Sequence, residues 1–288
     1  MPRTADKWDQ RIDRARELGT AYPFATQILS FYSKLTALQK SSYIHFQSTS
    51  GNGRSTSLPP ALDAVDLELL MARRGAFFSL IGRDAPGSLA EFARGLDARG
   101  PAACSILLRD FWPGSAAARI QSGERQPIPE DPAAGPPERH FERFCAYALL
   151  QPYAEFLADH ADLPEPAVRR PFCPYCGSPP VSGVLRQEGD GGKRSLVCSF
   201  CRWEWDYLRI ACPACDERDE KKLCLYSTPA FECVRVEACD TCRAYIKTVD
   251  LTKSGRAVPE VDELAAIPLS LWADEKGYRK VARNVIGL

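Results

Sequence analysis

The chain has 288 residues, with 37 lysines and arginines against 37 aspartates and glutamates, 45% hydrophobic residues and 12 cysteines. One or two domains with an ordinary globular core fit this length and apolar content, and no stretch reaches the roughly 18 uninterrupted apolar residues that a membrane-spanning helix needs. The zero formal charge argues against a protein built chiefly to neutralise phosphates, which requires a basic excess.

The opening run MPRTADKWDQRIDRARELG has no apolar core segment and no small-residue cleavage site, so it does not read as a secretory signal and a cytoplasmic chain is expected. Helical spacing follows. Trp8, Ile12, Ala15 and Leu18 form one apolar stripe, and Phe24, Ile28, Phe31 and Leu35 form another. A Gly/Ser/Pro-rich stretch over residues 51–60 interrupts the pattern, which resumes with Leu62, Val65 and Leu69 and again with Leu89, Phe92, Ala93 and Leu96. Five prolines in residues 121–137 exclude regular helix there and predict a long surface loop. Phe141, Phe144, Cys145, Ala148 and Leu149 mark the last helix of this half, with Pro152 expected to bend it. Residues 163–171 carry three prolines and read as a linker.

Beyond it the period changes. Short β-rich runs appear at 195–197, 231–236 and 244–249, each beside a pair of cysteines, and residues 261–276 return to helix with Pro268 starting or interrupting it. The predicted class is therefore α+β: a helical domain over 1–165, two ribbon-like metal modules over 166–209 and 210–288, and a C-terminal helical segment within the second.

The cysteines carry the chemistry. Only Cys104 and Cys145 precede residue 170, and the other ten lie between Cys173 and Cys242. Eight of them form four CxxC pairs: Cys173/Cys176, Cys198/Cys201, Cys212/Cys215 and Cys239/Cys242. The 21, 10 and 23 residues between successive pairs imply two tandem four-sulfur sites. Two residues between cysteines let a tight turn aim both thiolates at one point while backbone N–H groups offset their charge. No histidine follows His160, so these sites are all-sulfur, which selects zinc or iron without choosing between them. Cys104, Cys145, Cys224 and Cys233 read as packing residues, and His45, His140 and His160 as scattered side chains without catalytic partners. From Arg170 onwards there are 18 basic and 17 acidic residues, so metal-bound thiolates make this half acidic, which disfavours nucleic acid and favours a protein partner.

Four stretches, Cys173–Val181 (CPYCGSPPV), Leu196–Trp205 (LVCSFCRWEW), Arg209–Cys215 (RIACPAC) and Glu237–Lys247 (EACDTCRAYIK), resemble the FdhE-type formate dehydrogenase accessory proteins. Val261–Ala266 and Glu275–Tyr278 fit the same family, and Arg11, Arg14, Pro23, Phe31, Tyr32 and Gln39 match its opening helices more loosely. Asp262 and Glu263 supply the family's acidic pair, whereas Pro268 alters the apolar sequence that follows. The resemblance implies a cytoplasmic, non-catalytic helper that binds the catalytic subunit of a respiratory formate dehydrogenase, with two rubredoxin-like modules that hold iron rather than zinc. It places Cys173, Cys176, Cys198 and Cys201 on one metal and Cys212, Cys215, Cys239 and Cys242 on the other. Trp203 and Trp205 are expected to pack between modules, and Glu204 with one of these rings is the candidate partner-docking surface. The helical domain would add contact area or mediate dimerisation. Two other classes stand beside this one: a thiol-disulfide oxidoreductase using a metal-free CxxC pair, and a nucleic-acid-binding zinc-ribbon protein.

Overall fold

The computed structural model describes residues 4–50, 61–113, 137–161, 170–189, 191–285 and 287. The stretch 51–60, nearly all of the loop expected over 121–137 and most of the expected linker lie outside these residues.

The first half is helical: α1 (Thr4–Ala21), a 3-10 turn (Pro23–Ala25), α2 (Thr26–Ser50), α3 (Ala64–Met71), α4 (Arg74–Asp84), α5 (Gly87–Ala98), α6 (Gly100–Phe111) and α7 (Pro137–Asp159). The α1 stripe is buried as its spacing predicts, with Trp8 at 2% and Ala15 at 0% exposure. Each large apolar side chain so removed from water contributes about 1.5–3 kcal/mol. Two expectations need correction. Phe24 falls in the 3-10 turn and is exposed, because Pro23 sets up that turn before α2 begins. Val65 is also exposed: Asp63 caps α3 in a reciprocal box with Asp66, and the resulting start turns Val65 outward while Leu67, Leu69 and Leu70 face the core.

The helix α7 is more than an amphipathic element. Every residue from Arg143 to Ala158 is buried, and the helix runs through Pro152. A helix buried around its whole circumference must be enclosed on all sides, and its Arg143, Gln151 and Glu155 must find partners there. Here α2, α4, α5 and α6 surround it together with the first cysteine module, whose Phe200 ring lies 5.0 Å from Tyr147.

Among the described residues the second half forms one sheet from seven strands: β1 (Pro180–Glu188), β2 (Gly191–Cys198), β3 (Glu204–Asp206), β4 (Leu223–Ser227), β5 (Val234–Cys239), β6 (Ala244–Asp250) and β7 (Arg279–Lys280). The order is β3-β2-β1-β6-β5-β4, with β7 also paired to β6. The strands on either side of the expected 209/210 boundary thus share a sheet. The seam is a parallel pairing of Ser182–Leu185 with Lys247–Asp250. Gly183 sits on that seam, where a Cβ would run into the Thr248 side chain. Two helices, α8 (Pro259–Ala265) and α9 (Ile267–Glu275), lie between β6 and β7, with Pro268 in the first turn of α9, where its missing N–H costs no hydrogen bond.

Buried charge ties the two ends of the chain together. Arg11 on α1 bonds Glu155 on α7 at 2.9 Å and Glu260 on α8 at 2.8 Å, and Arg14 grips Asp262 through two nitrogens at 2.6 and 3.0 Å. Burial pushes the Glu155 and Glu260 carboxyls up, but Arg11, together with Lys7 for Glu155 and Arg202 for Glu260, more than reverses this and holds both below the usual range. Removing one partner of such a set leaves charge stranded in the interior. Arg11→Ala is therefore expected to lower unfolding free energy by about 3–5 kcal/mol in urea titrations.

A second set lies under β6. Glu263 accepts from Lys280, from Lys247 at 2.9 Å and from the Asn284 amide at 3.1 Å, and Lys247 also donates to the Glu263 and Ala266 carbonyls. Burial opposes the Glu263 charge, yet Lys247 and Lys280 bring its carboxyl down to about 2. Burial also moves Lys280 to about 8, since one carboxylate serves two ammonium groups. Glu263 ionisation therefore contributes its full stabilisation above the ordinary pKa of about 4.5 and loses it as pH falls towards 2. The stability difference between the wild type and Glu263→Gln should shrink as unfolding is measured from pH 6 down to pH 3.

Candidate metal centre

The four CxxC segments adopt one turn. The residue following the second cysteine has positive φ in each case: Gly177 at 74°, Arg202 at 60°, Asp216 at 60° and Arg243 at 59°. Only the first is glycine. The other three hold a left-handed conformation that costs roughly 1–2 kcal/mol for a side chain with a Cβ, and the surrounding bonds maintain it. The Gly177, Asp216 and Arg243 amides donate to the carbonyls of Cys173, Cys212 and Cys239 at 2.8–3.0 Å. The Cys173, Cys198 and Cys212 amides reach across to Ser178, Trp203 and Glu217 at 2.9 Å. These closures point the two thiols of a turn the same way.

Paired turns then converge. Cys173, Cys176, Cys198 and Cys201 bring their sulfurs within 4.8 Å of one another, and so do Cys212, Cys215, Cys239 and Cys242. Nearest Sγ–Sγ distances are 3.4 and 3.6 Å in the first group and 3.7 Å in the second. A tetrahedral ion with metal–sulfur bonds of about 2.3 Å separates its sulfurs by about 3.8 Å. The Phe200 and Cys201 amides point at the Cys198 sulfur at 3.3 and 3.4 Å, and the Ala214 amide points at Cys212 at 3.4 Å, as expected around thiolate ligands. The donor set and its spacing fit a tetrahedral ion with four cysteine ligands, so both groups are able to hold a metal.

The electrostatics of the thiols agree with this geometry. Burial pushes Cys173 and Cys201 well up. It also opposes ionisation of Cys176, but hydrogen bonds from Cys173, Cys198 and Cys201 outweigh it and hold that thiol well below its ordinary range. In the second group a hydrogen bond from Cys212 draws Cys242 down to about 5. Loading a dication deprotonates the remaining thiols, so metal affinity rises with pH.

The two groups differ in their surroundings. The first is sealed in the core between sheet and helices: Cys173, Cys176 and Cys198 have no exposure, Phe200 packs on Tyr147 and Trp112, and Gln151 on α7 donates to the Ser199 carbonyl at 3.1 Å. In the second, Cys215 and Cys242 are half-buried. Trp205 is buried, its indole donating to the Arg170 carbonyl at 2.8 Å. Trp203 is half-buried and stacks on Tyr175, and Glu204 is exposed and paired with Arg186 through two bonds of 2.7 and 2.9 Å.

The remaining cysteines divide. Cys104 and Cys145 are buried among the helices, and burial pushes their thiols up to about 11 and 12. Cys224 and Cys233 are half-buried and face the carboxylates of Asp240 and Asp262; Cys233 also packs against the core beneath β5 and β6 as expected, whereas Cys224 is not the core residue expected from its strand-like run. Sequence reading also passed over the pairing of Arg194, Arg235 and Glu237, which form a partly buried charge set beside the second group. Glu237 flanks Cys239 in a recognisable motif, but nothing in the spacing connects it to Arg194, 43 positions earlier.

A helical domain carrying one sheet with two all-sulfur clusters defines a ribbon protein with a pair of four-cysteine sites. Residues 172–209 match the family described as FdhE, central domain, and residues 210–286 match FdhE, C-terminal domain. An FdhE homologue of Aquifex aeolicus is 36% identical over 146 residues, covering 50% of this chain and 52% of the relative. One from Pseudomonas aeruginosa is 39% identical over 124 residues, 41% of this chain and 40% of the relative. The chain thus spans about half the length, or less, of these curated relatives. The crystal structure of the FdhE protein from Pseudomonas aeruginosa covers 99% of this chain and 97% of its own with a TM-score of 0.67 at 22% identity, so the fold is shared throughout. The resemblance seen in the cysteine motifs is an FdhE resemblance, and over residues 172–286 the chain is similar to the FdhE central and C-terminal domains.

The difference in burial predicts how metal leaves. Chelator challenge of protein holding two equivalents should release one rapidly and the other slowly, with Cys215→Ser removing the fast phase and Cys176→Ser the slow one. A single phase in the wild type would show that burial does not control release.

Proposed function

We propose that this chain is a non-catalytic cytoplasmic accessory protein in the formation of an active formate dehydrogenase, recognising the enzyme's catalytic subunit through a surface that two metal ions hold rigid. The observation that carries this reading is the match of residues 172–286 to two consecutive FdhE domains, with all eight cysteines of the four knuckles gathered into two groups of four. In this reading the eight cysteines are the ligands and the metal is iron, with zinc as the alternative. Four thiolates around iron supply a one-electron couple, which allows a redox contribution during activation, whereas zinc confines the clusters to a structural role. The same reading divides the chain into a helical unit over 1–165 and two metal modules over 166–209 and 210–288.

Among the described residues no helix is long and apolar enough to cross a membrane. Trp203, Glu204 and Trp205 remain the docking candidates from the sequence, with Glu204 and Trp203 the part that reaches solvent. The oxidoreductase alternative draws on the half-buried Cys242, whose thiol is drawn down to about 5, and it requires one pair to be free of metal.

Protein purified without oxygen and then exposed to air should contain about two metal equivalents, and iron would give a red ferric-thiolate spectrum where zinc would be colourless. The same preparation should retain the purified catalytic subunit of formate dehydrogenase on an affinity column, and Glu204→Ala with unchanged metal content should weaken that retention. Absence of metal from the folded protein, or rapid labelling of one CxxC pair by a thiol reagent, would favour the oxidoreductase alternative.

A further inference from the structure

Trp8 is buried in the helical core, and its indole N–H meets no acceptor among the described residues. The Arg11 guanidinium lies over the ring at 4.9 Å, so one face is covered and the donor stands on the ring edge. A buried donor of this kind is rare in native proteins and calls for a partner. Trp8 also borders a cavity of about 10 Å³ at the point where the two halves of the chain meet.

Segments far apart in the chain build that cavity. Beside Trp8 and Arg11 of α1 stand Gln39 of α2 and Gln151 and Glu155 of α7. The first cysteine module contributes Arg202, which follows Cys201 and holds its φ at 60°, and Val285 completes the wall. All of these except Arg202 are buried. Gln39 and Gln151 direct their amide N–H groups to the carbonyls of Ala148 and Ser199, both at 3.1 Å, so each amide oxygen is left to accept. A space of roughly 10–15 Å³ holds one water when two or more polar groups line it. Charge does not favour an ion there. Arg11, Arg202 and Lys7 are matched by Glu155, Glu260 and Asp159. The first cluster, one residue from Arg202, adds negative charge against an anion once metal is bound, and the two arginines of the lining oppose a cation.

We propose that this cavity is a binding site for one water molecule, held as a fixed part of the fold. The water accepts from the Trp8 Nε1–H and donates to the amide oxygens of Gln39 and Gln151, so one neutral ligand joins α1, α2 and α7. Gln151 also holds the Ser199 carbonyl, which lies between Cys198 and Cys201. The water therefore connects Trp8 to the knuckle of the sealed cluster through a single side chain. This site stands whether or not the chain serves a formate dehydrogenase.

The test uses the full chain loaded with zinc, so that no paramagnetic ion broadens the spectra. Magnetisation transfer from a long-lived water to the Trp8 indole N–H is measured by NMR, with Trp8→Phe identifying the resonance. Val285→Leu adds one methylene to the cavity wall and leaves every polar partner in place. The wild type is expected to show the transfer, and Val285→Leu to lose it together with a lowered midpoint in urea, because displacing the water strands the Trp8 donor. A high-resolution crystal structure of the wild type should place the water about 2.8–3.2 Å from Trp8 Nε1. No transfer in the wild type, or transfer that persists in Val285→Leu, overturns the proposal. So does a raised midpoint for Val285→Leu, since that is the response of a dry cavity to filling.

Discussion

Four sulfurs brought to within tetrahedral distance of one point, buried or half-buried, constrain everything around them. Uncompensated thiolates at that spacing repel one another, and burial opposes each charge, which is why Cys173 and Cys201 are pushed far up while Cys176 ionises with its neighbours as donors. A dication removes the conflict, and the turns are built to present ligands to one. Three of the four accept a left-handed residue with a Cβ to do so. In the first group the constraint extends into the helical domain, because Phe200, between Cys198 and Cys201, is one of the rings against which α7 packs. The metal site and the helical core share a wall.

The chain termini reinforce that arrangement. The arginines of α1 hold acids on α7 and α8, and Lys247 and Lys280 hold Glu263 beneath the sheet, so the last helices are clamped between the first helix and β6. Such groups stabilise only as complete sets, since each would be a liability alone in the interior. The parallel seam at Gly183 does the same for the two ribbon units: it makes one sheet of them, with the sealed cluster on the helical side and the half-open cluster towards the β4 edge. The two clusters therefore differ in accessibility although their local turns are alike.

Much of this was legible in residue order. The α1 stripe, the β-rich runs at 195–197 and 244–249 and the CxxC pairs depend on neighbours within a few positions, and each took the form its spacing predicts, whereas the run expected over 231–236 is a strand only from Val234, because Phe231 closes a 3-10 turn that Pro229 begins. Phe24 and Val65 were misplaced because a 3-10 turn at Pro23 and a capping box at Asp63 set where the helices begin, and apolar spacing does not report a start. Cys224 and Cys233 were read as packing residues from the strand-like runs they sit in, and their order in the chain does not report that each also meets a carboxylate supplied by a distant segment. Arg11, Arg14, Asp262 and Glu263 were all noticed in sequence, but as separate fragments of a resemblance.

The sequence by itself determined the number and kind of the clusters, since the CxxC turns are local and the lack of any later histidine leaves only sulfur to ligate. It also set the helical half apart from the β-rich half, because periodicity is a local property. Only the tertiary structure decided that the ribbon units share a sheet, that one cluster is sealed and the other half-open, and that Arg11 and Arg14 meet the acids of α8. Those outcomes join residues up to 249 positions apart, and the pairing of distant charges and edges is settled by which surfaces can be buried together, a property that no short window of sequence contains.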